Sequence, residues 1–148
     1  MSAPLRIGIA GLGTVGANVA RLLVEQTEIL SARAGRKLVL AGISARARGK
    51  DRGFNLSAAE WFADPVALAR SSAIDVFVEL MGGEGDPSKA AVEAALGAGK
   101  PVVTANKALL AHHGAKLAAI AEAKGLALDF EAAVAGGIPI ILSCRTLP

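Results

Sequence analysis

An open α/β fold, a doubly wound parallel sheet with helices on both faces, is what this sequence predicts, and three observations carry that expectation. Ile7 to Ala10 closes a short apolar run that breaks into Gly11, Gly13 and Gly16, a G-x-G-x-x-G spacing followed by apolar residues at helical intervals. Short apolar segments then alternate along the chain with helix-length amphipathic ones, the rhythm of strand, crossover helix and parallel strand. With 148 residues and 53% hydrophobic content, the chain can bury a core without disulfides or metals.

The first strand reads as Leu5 to Ala10 and the first helix as Thr14 to about Ser31, with Val15, Val19, Leu22 and Leu23 on one stripe. Each glycine of the turn between them has a physical task. Gly11 allows the tight strand-to-helix turn, Gly13 lets a pyrophosphate approach the backbone, and Gly16 lets the helix lie close to the strand. The free amides and positive dipole end of the helix then face the anion, so the turn predicts dinucleotide binding through Gly11, Gly13, Thr14, Val15 and Gly16. The alternative is that the glycines serve only close packing of the strand and helix.

Lys37 to Ile43 is the second strand, and the residue type after it discriminates between cofactors. An acid there accepts hydrogen bonds from a ribose 2′-hydroxyl, whereas arginine accommodates a 2′-phosphate. The strand runs into Ser44, Ala45, Arg46, Ala47, Arg48, Gly49 and Lys50, with no acid before Asp51. Arg46 and Arg48 therefore favour NADP, with NAD as the alternative. Net charge is +3, but residues 33 to 52 hold seven of the 16 basic residues and one acid, so the positive charge is local; a nucleic-acid partner, which wants basic residues along a face and aromatics for stacking, is not expected.

Leu56 to Phe62 and Val66 to Ala69 read as short helices separated by Asp64-Pro65, because proline cannot continue a helix through its own position. Ile74 to Leu80 is the next strand and ends in Met81-Gly82-Gly83. Asp86 as cap and Pro87 in the first turn begin a helix that runs to about Leu96 and stops at Gly97 and Gly99. Loops at the carboxyl ends of parallel strands line the ligand crevice, which places Gly82 and Gly83 near the nicotinamide half.

Lys100 to Thr104 is a further strand, followed by Ala105, Asn106 and Lys107. Asn106 is the expected cap of a helix that buries Leu110, Leu117 and Ile120 and ends near Gly125. Lys107 then falls in the first turn, where the dipole repels a cation by a few tenths of a kcal/mol, so it wants an anionic neighbour or a task. His112 and His113 are adjacent and point away from each other on a helix, which excludes the i, i+4 geometry of a shared metal. Leu126 to Glu131 is the last strand. In AAVAGGIPII, residues 132 to 141, two glycines break the chain and Pro139 can begin a new helix. An apolar segment still being laid down at Pro148 reads as the cofactor half of a longer protein, with a dinucleotide-binding domain over residues 1 to 135 and a connection from 136 onward.

Cys144 is the single cysteine, which excludes an internal disulfide and suits a reducing compartment. No stretch reaches the apolar length of a membrane span, and the first residues lack the pattern of a signal peptide, so a cytoplasmic protein is expected.

GLGTVG at 11 to 16, VELMGG at 78 to 83, KPVVTANKALLA at 100 to 111 and EAAVAGGIPII at 131 to 141 together resemble the nucleotide-binding domain of homoserine dehydrogenases. The resemblance covers nearly the whole chain in the right order. It implies a Rossmann-type fold and NAD(P)-dependent interconversion of aspartate 4-semialdehyde and homoserine, on the route to threonine, methionine and isoleucine. It also implies a second domain that binds the small-molecule substrate and forms a homodimer. Residue by residue, it implies Gly11, Gly13, Thr14, Val15 and Gly16 around the pyrophosphate, and Arg46 and Arg48 near a 2′-phosphate. Gly82, Thr104, Ala105 and Asn106 would lie beside the nicotinamide and its ribose, with Lys107 as the catalytic lysine. A monovalent cation on the backbone carbonyls of Glu131, Val134, Gly136 and Ile138 belongs to the same pattern. Two other readings are open: a thiol-dependent semialdehyde dehydrogenase using Cys144, and a non-catalytic NADP-sensing module.

Overall fold

The computed structural model describes residues 3–134, which form one six-stranded parallel sheet with helices on both faces. In chain order the elements are β1 (Leu5–Ala10), α1 (Thr14–Glu25), α2 (Thr27–Ala34), β2 (Leu38–Ser44), β3 (Glu60–Phe62), α3 (Pro65–Arg70), β4 (Val76–Glu79), α4 (Ser88–Gly97), β5 (Val102–Thr104), α5 (Lys107–Ala123) and β6 (Leu128–Asp129), with a single 3-10 turn at Glu131–Ala133. The strand order is β3-β2-β1-β4-β5-β6. The chain therefore builds outward from β1 in one direction and then restarts at β4 in the other, which leaves a topological switch point between the carboxyl ends of β1 and β4.

Two cores lie on the two faces. On one, Ala20 of α1 and Leu12 pack with Ile7, Ile9, Leu40 and Ile43 of the strands. On the other, Leu68 and Ala69 of α3, Val92 and Leu96 of α4 and Leu109 and Leu117 of α5 surround Phe77 and Val102. Alternation along the strands makes this possible, since Ile9 and Ala10 point to opposite faces. Phe77 is fully buried, and its burial alone contributes roughly 1.5–3 kcal/mol. Gly8 and Gly42 pair across β1 and β2, and a Cβ on either would stand 2.6 Å from a methyl of Ile74 or Leu68, so the absence of side chains lets this second core seat directly on the backbone.

Four expectations are corrected. The long first helix breaks at Gln26, because the Thr27 hydroxyl donates to the carbonyls of Leu23 and Val24 and so takes the helix's own acceptors. Leu56 to Phe62 is not a helix: Glu60–Phe62 pairs in parallel with Gly42, Ile43 and Ser44, and the free edge of β2 outweighs the helix-like spacing of the apolar residues. The helix after β5 buries Leu109 fully, while Leu110 and Ile120 are half-buried. The last strand is only Leu128–Asp129. Asp64 caps α3, accepting from the amides of Val66 and Ala67, and Pro65 opens the helix. Asp86 accepts from the amide of Ala90, although Pro87 occupies the cap position of α4.

Candidate functional site

The carboxyl ends of β1, β4 and β5 bring most of the expected residues to one edge of the sheet. Gly11 has φ +95°, and a Cβ there would lie 2.5 Å from the carbonyl oxygen of Leu80. A Cβ on Gly16 would drive into the Gly11 carbonyl. Both glycines thus hold the turn, the helix and the β4 loop together. Gly13 is different: a Cβ on it would meet nothing within 4 Å, so the space above this residue is open.

Gly13 is also the cap of α1, with no side-chain cap and no acid in the first turn. The leading amides of α1 are therefore left without a side-chain acceptor, beside exposed Thr14 and a Val15 that is 57% exposed. α3 and α5 are each capped by a side chain, whereas the start of α1 carries neither a side-chain cap nor an acid in its first turn and so suits an anion. These features fit the pyrophosphate of a dinucleotide.

Across the switch point, the loops after β4 and β5 are tied to each other. Asn106 caps α5 as expected, its Oδ1 accepting from the amide of Leu109 at 3.0 Å, and its Nδ2 donates to the carbonyl of Gly83 at 2.7 Å. Thr104 is buried; its Oγ1 accepts from the amide of Asn106 at 3.0 Å and donates to Glu79 Oε2 at 2.6 Å. Ala105 donates its amide to the Glu79 carbonyl. Gly82 and Gly83 have φ +80° and +87°, and Ser88 Oγ donates to the carbonyl of Gly82. Thr104, Ala105, Asn106 and Gly82 are thus brought together. Lys107, the first residue of α5, is exposed, and no hydrogen-bond or ion-pair partner is found for it among the described residues.

Arg46 and Arg48 are exposed in the loop after β2, on the far side of the switch point. The Arg48 guanidinium lies 6.0 Å from the centre of the Trp61 ring, and Arg52 lies 5.8 Å from the same ring. Arg52 donates to the carbonyls of Ala47 and Lys50, and so shapes the loop that presents the two arginines. Ile43, Phe54, Trp61, Arg48, Lys50 and Arg52 line a cavity of about 310 Å³ behind it.

Glu131, expected with Val134 to help hold a cation, is the first residue of the 3-10 turn and Val134 follows its last; Gly136 and Ile138 lie outside the described residues, as do Cys144 and the helix expected at Pro139. No cluster of three or more His, Cys, Asp or Glu side chains suited to a metal is found among the described residues. His112 pairs with Glu84 at 3.0 Å rather than with His113. The groups with displaced protonation lie away from this edge. A hydrogen bond from Arg6 holds Asp75 below the usual carboxylate range, one from Lys116 does the same for Glu93, and burial pushes Lys100 down.

With this geometry in view, the likeness to known proteins is specific. Residues 11–131 match the family model described as homoserine dehydrogenase, NAD binding domain. The chain belongs to that family. The homoserine dehydrogenase of Neisseria gonorrhoeae is 44% identical over 142 residues, covering 96% of this chain and 32% of that protein, and the one from Mycobacterium bovis is 45% identical over 139 residues, covering 93% and 31%. A crystal structure of the Thiobacillus denitrificans enzyme superposes with a TM-score of 0.86 at 39% identity, covering 97% of this chain and 33% of that one. A hyperthermophilic archaeal homoserine dehydrogenase in complex with NADPH matches with a TM-score of 0.73 at 25% identity, covering 94% and 47%. The chain spans about a third of the length of the curated relatives it matches. The open turn at Gly13 follows β1 and the Thr104 to Asn106 segment follows β5, so both lie at the carboxyl ends of the strands, on either side of β4. No described helix is long and apolar enough to cross a membrane.

Sequence reasoning missed Glu79. It is fully buried at the end of β4, and its signal is an acid closing the otherwise apolar strand run VFVE.

Proposed function

We propose that this chain is the cofactor half of a homoserine dehydrogenase and holds NADP(H) for the interconversion of aspartate 4-semialdehyde and homoserine. The observation that carries this reading is the pairing of an open, uncapped α1 start at Gly13 with a braced Thr104 to Asn106 segment across the switch point. The amides of Thr14, Val15 and Gly16 would receive the pyrophosphate, and Arg46 and Arg48 a 2′-phosphate. Gly82, Thr104, Ala105 and Asn106 would border the nicotinamide and its ribose. The bound nicotinamide supplies or accepts the hydride. The chain's own contribution is placement and charge: reduction of an aldehyde carbon leaves negative charge on oxygen, and the Lys107 ammonium would stabilise that charge or donate the proton.

Groups that fix the amino and carboxylate ends of homoserine would come from a second domain, which would also form the homodimer of a cytoplasmic enzyme. A monovalent cation on the carbonyls of Glu131, Val134, Gly136 and Ile138 completes the reading.

Titration calorimetry of this chain with NADPH and NADH tests the cofactor assignment. NADPH should bind more tightly, and an Arg46→Ala, Arg48→Ala double variant should remove the difference. Equal affinities in the parent chain would refute the NADP preference, and binding of neither cofactor would refute the whole reading.

A further inference from the structure

Cofactor binding leaves one costly feature at this edge of the sheet unexplained. Glu79 is fully buried, paired in register with Ala10 of β1 and Thr104 of β5, and among the described residues no cation forms an ion pair with it. A carboxylate taken out of water is offset only by the hydrogen bonds it accepts. Here Oε1 accepts from the amides of Met81 at 2.8 Å and Gly82 at 3.3 Å, and Oε2 accepts from the Thr104 hydroxyl at 2.6 Å. All three donors belong to the two loops at the carboxyl ends of β4 and β5.

With both Glu79 oxygens accepting, this network has a direction. The Thr104 hydroxyl donates to Glu79, which leaves a Thr104 lone pair for the amide of Asn106; Asn106 then caps α5 and grips Gly83. The geometry points to Glu79 as the positioning residue that locks the Met81 to Gly83 loop and the Thr104 to Lys107 segment into one wall for the nicotinamide end of the cofactor. Glutamine would keep the shape but lose the direction. Its oxygen can still accept from Met81 and Gly82, while its amide faces Thr104 as a donor and leaves the hydroxyl proton without an acceptor.

The consequence for binding rests on the cofactor reading above, so the test uses two probes that share the adenosine end. This chain and its Glu79→Gln variant are titrated with NADPH and with 2′-phospho-ADP-ribose, which lacks the nicotinamide. The variant should lose roughly tenfold in affinity for NADPH while its affinity for 2′-phospho-ADP-ribose stays within about twofold. A merely structural role would lower both together, and that result, or no change in either, overturns the proposal. Amide hydrogen exchange without any ligand supplies a second readout: the amides of Met81, Gly82 and Asn106 should exchange faster in the variant, and unchanged exchange overturns the clamp. Should the parent chain bind neither probe, the cofactor reading fails while the exchange result still decides the clamp. If Glu79→Gln does not fold, Thr104→Val cuts the same network one residue along and is read by the same affinity ratio and the same amides.

Discussion

Two glycines three positions apart in the first turn should respond in opposite ways to the same added methyl group. At Gly16 a Cβ would overlap the backbone carbonyl of Gly11, which no side-chain rotation can relieve, so α1 would have to move from the turn by roughly an ångström. Overpacking of this kind costs typically 1–3 kcal/mol and more when backbone must shift; about 3 kcal/mol is a large share of a total of about 5–15 kcal/mol. For a domain of this size that corresponds to a fall in Tm of roughly 6–12 °C. At Gly13, by contrast, φ is −74°, which any residue adopts, and the Cβ meets nothing. The entropy gained by replacing glycine, about 0.4–1 kcal/mol, is offset by the poorer capping of alanine, so stability should change by less than about 0.5 kcal/mol. The methyl would stand where the pyrophosphate approaches, and NADPH affinity should fall at least roughly tenfold. Thermal melts and NADPH titrations of Gly13→Ala and Gly16→Ala measure both quantities. A Gly16→Ala protein that melts like the parent, or a Gly13→Ala protein that binds NADPH normally, would refute the reasoning.

In the longer enzyme that contains this domain, Lys107→Ala should lower kcat and kcat/KM together by roughly 10²-fold with NADPH affinity nearly unchanged, because its charge would act only as the hydride moves; weakened cofactor binding with kcat recovered at saturation would make it a cofactor ligand instead. Asp64→Ala removes the acceptor of two leading amides of α3 and should cost about 1 kcal/mol, read as a drop in Tm of roughly 2–4 °C; an unchanged Tm would contradict the cap. Asp75, held below the usual carboxylate range by the Arg6 hydrogen bond, releases protons more readily folded than unfolded. The pair therefore stabilises the fold above the carboxylate's unfolded pKa and loses that contribution as pH falls through the lower folded value. Asp75→Asn should flatten the acid limb of a Tm-against-pH profile, by less at high salt because the pair is partly solvated; an identical acid limb would show that the pair contributes nothing measurable.

How much of this was legible in the sequence depended on whether the signal was local. The turn at Gly11, Gly13 and Gly16 and the cap at Asn106 are read from a few adjacent residues, and their chemistry is the same wherever the chain goes next. Glu60–Phe62 was misread because nothing within Leu56 to Phe62 announces that β2 has a free edge beside it; only the folded sheet offers Gly42, Ile43 and Ser44 as partners. The break at Gln26 is intermediate, since the Thr27 hydroxyl reaches back only one turn but competes with helix bonds that the pattern favours. Glu79 and Thr104 are 25 residues apart, and their contact follows from the adjacency of β4 and β5 rather than from anything near either residue.

The same contrast separates the two ends of the crevice. At the Gly13 end the ligand would be held by backbone amides and absent side chains, so almost any strand, turn and helix with these glycines can serve, which is why a G-x-G-x-x-G spacing alone says little about the reaction. At the other end the wall is built from side chains on two strands and a helix start: Glu79 at the end of β4, Thr104 at the end of β5 and Asn106 at the start of α5, with Gly83 gripped by Asn106. Each needs the others to be satisfied, because removing any one leaves a buried donor or acceptor unpaired. Lys107 follows this network by one residue, so its backbone is fixed by the Asn106 cap while its side chain is left free to reach outward. A braced backbone carrying an exposed ammonium with no partner among the described residues suits a group whose anionic partner arrives with the substrate, and it is this arrangement, more than the glycine turn, that would adapt a general dinucleotide fold to one reaction.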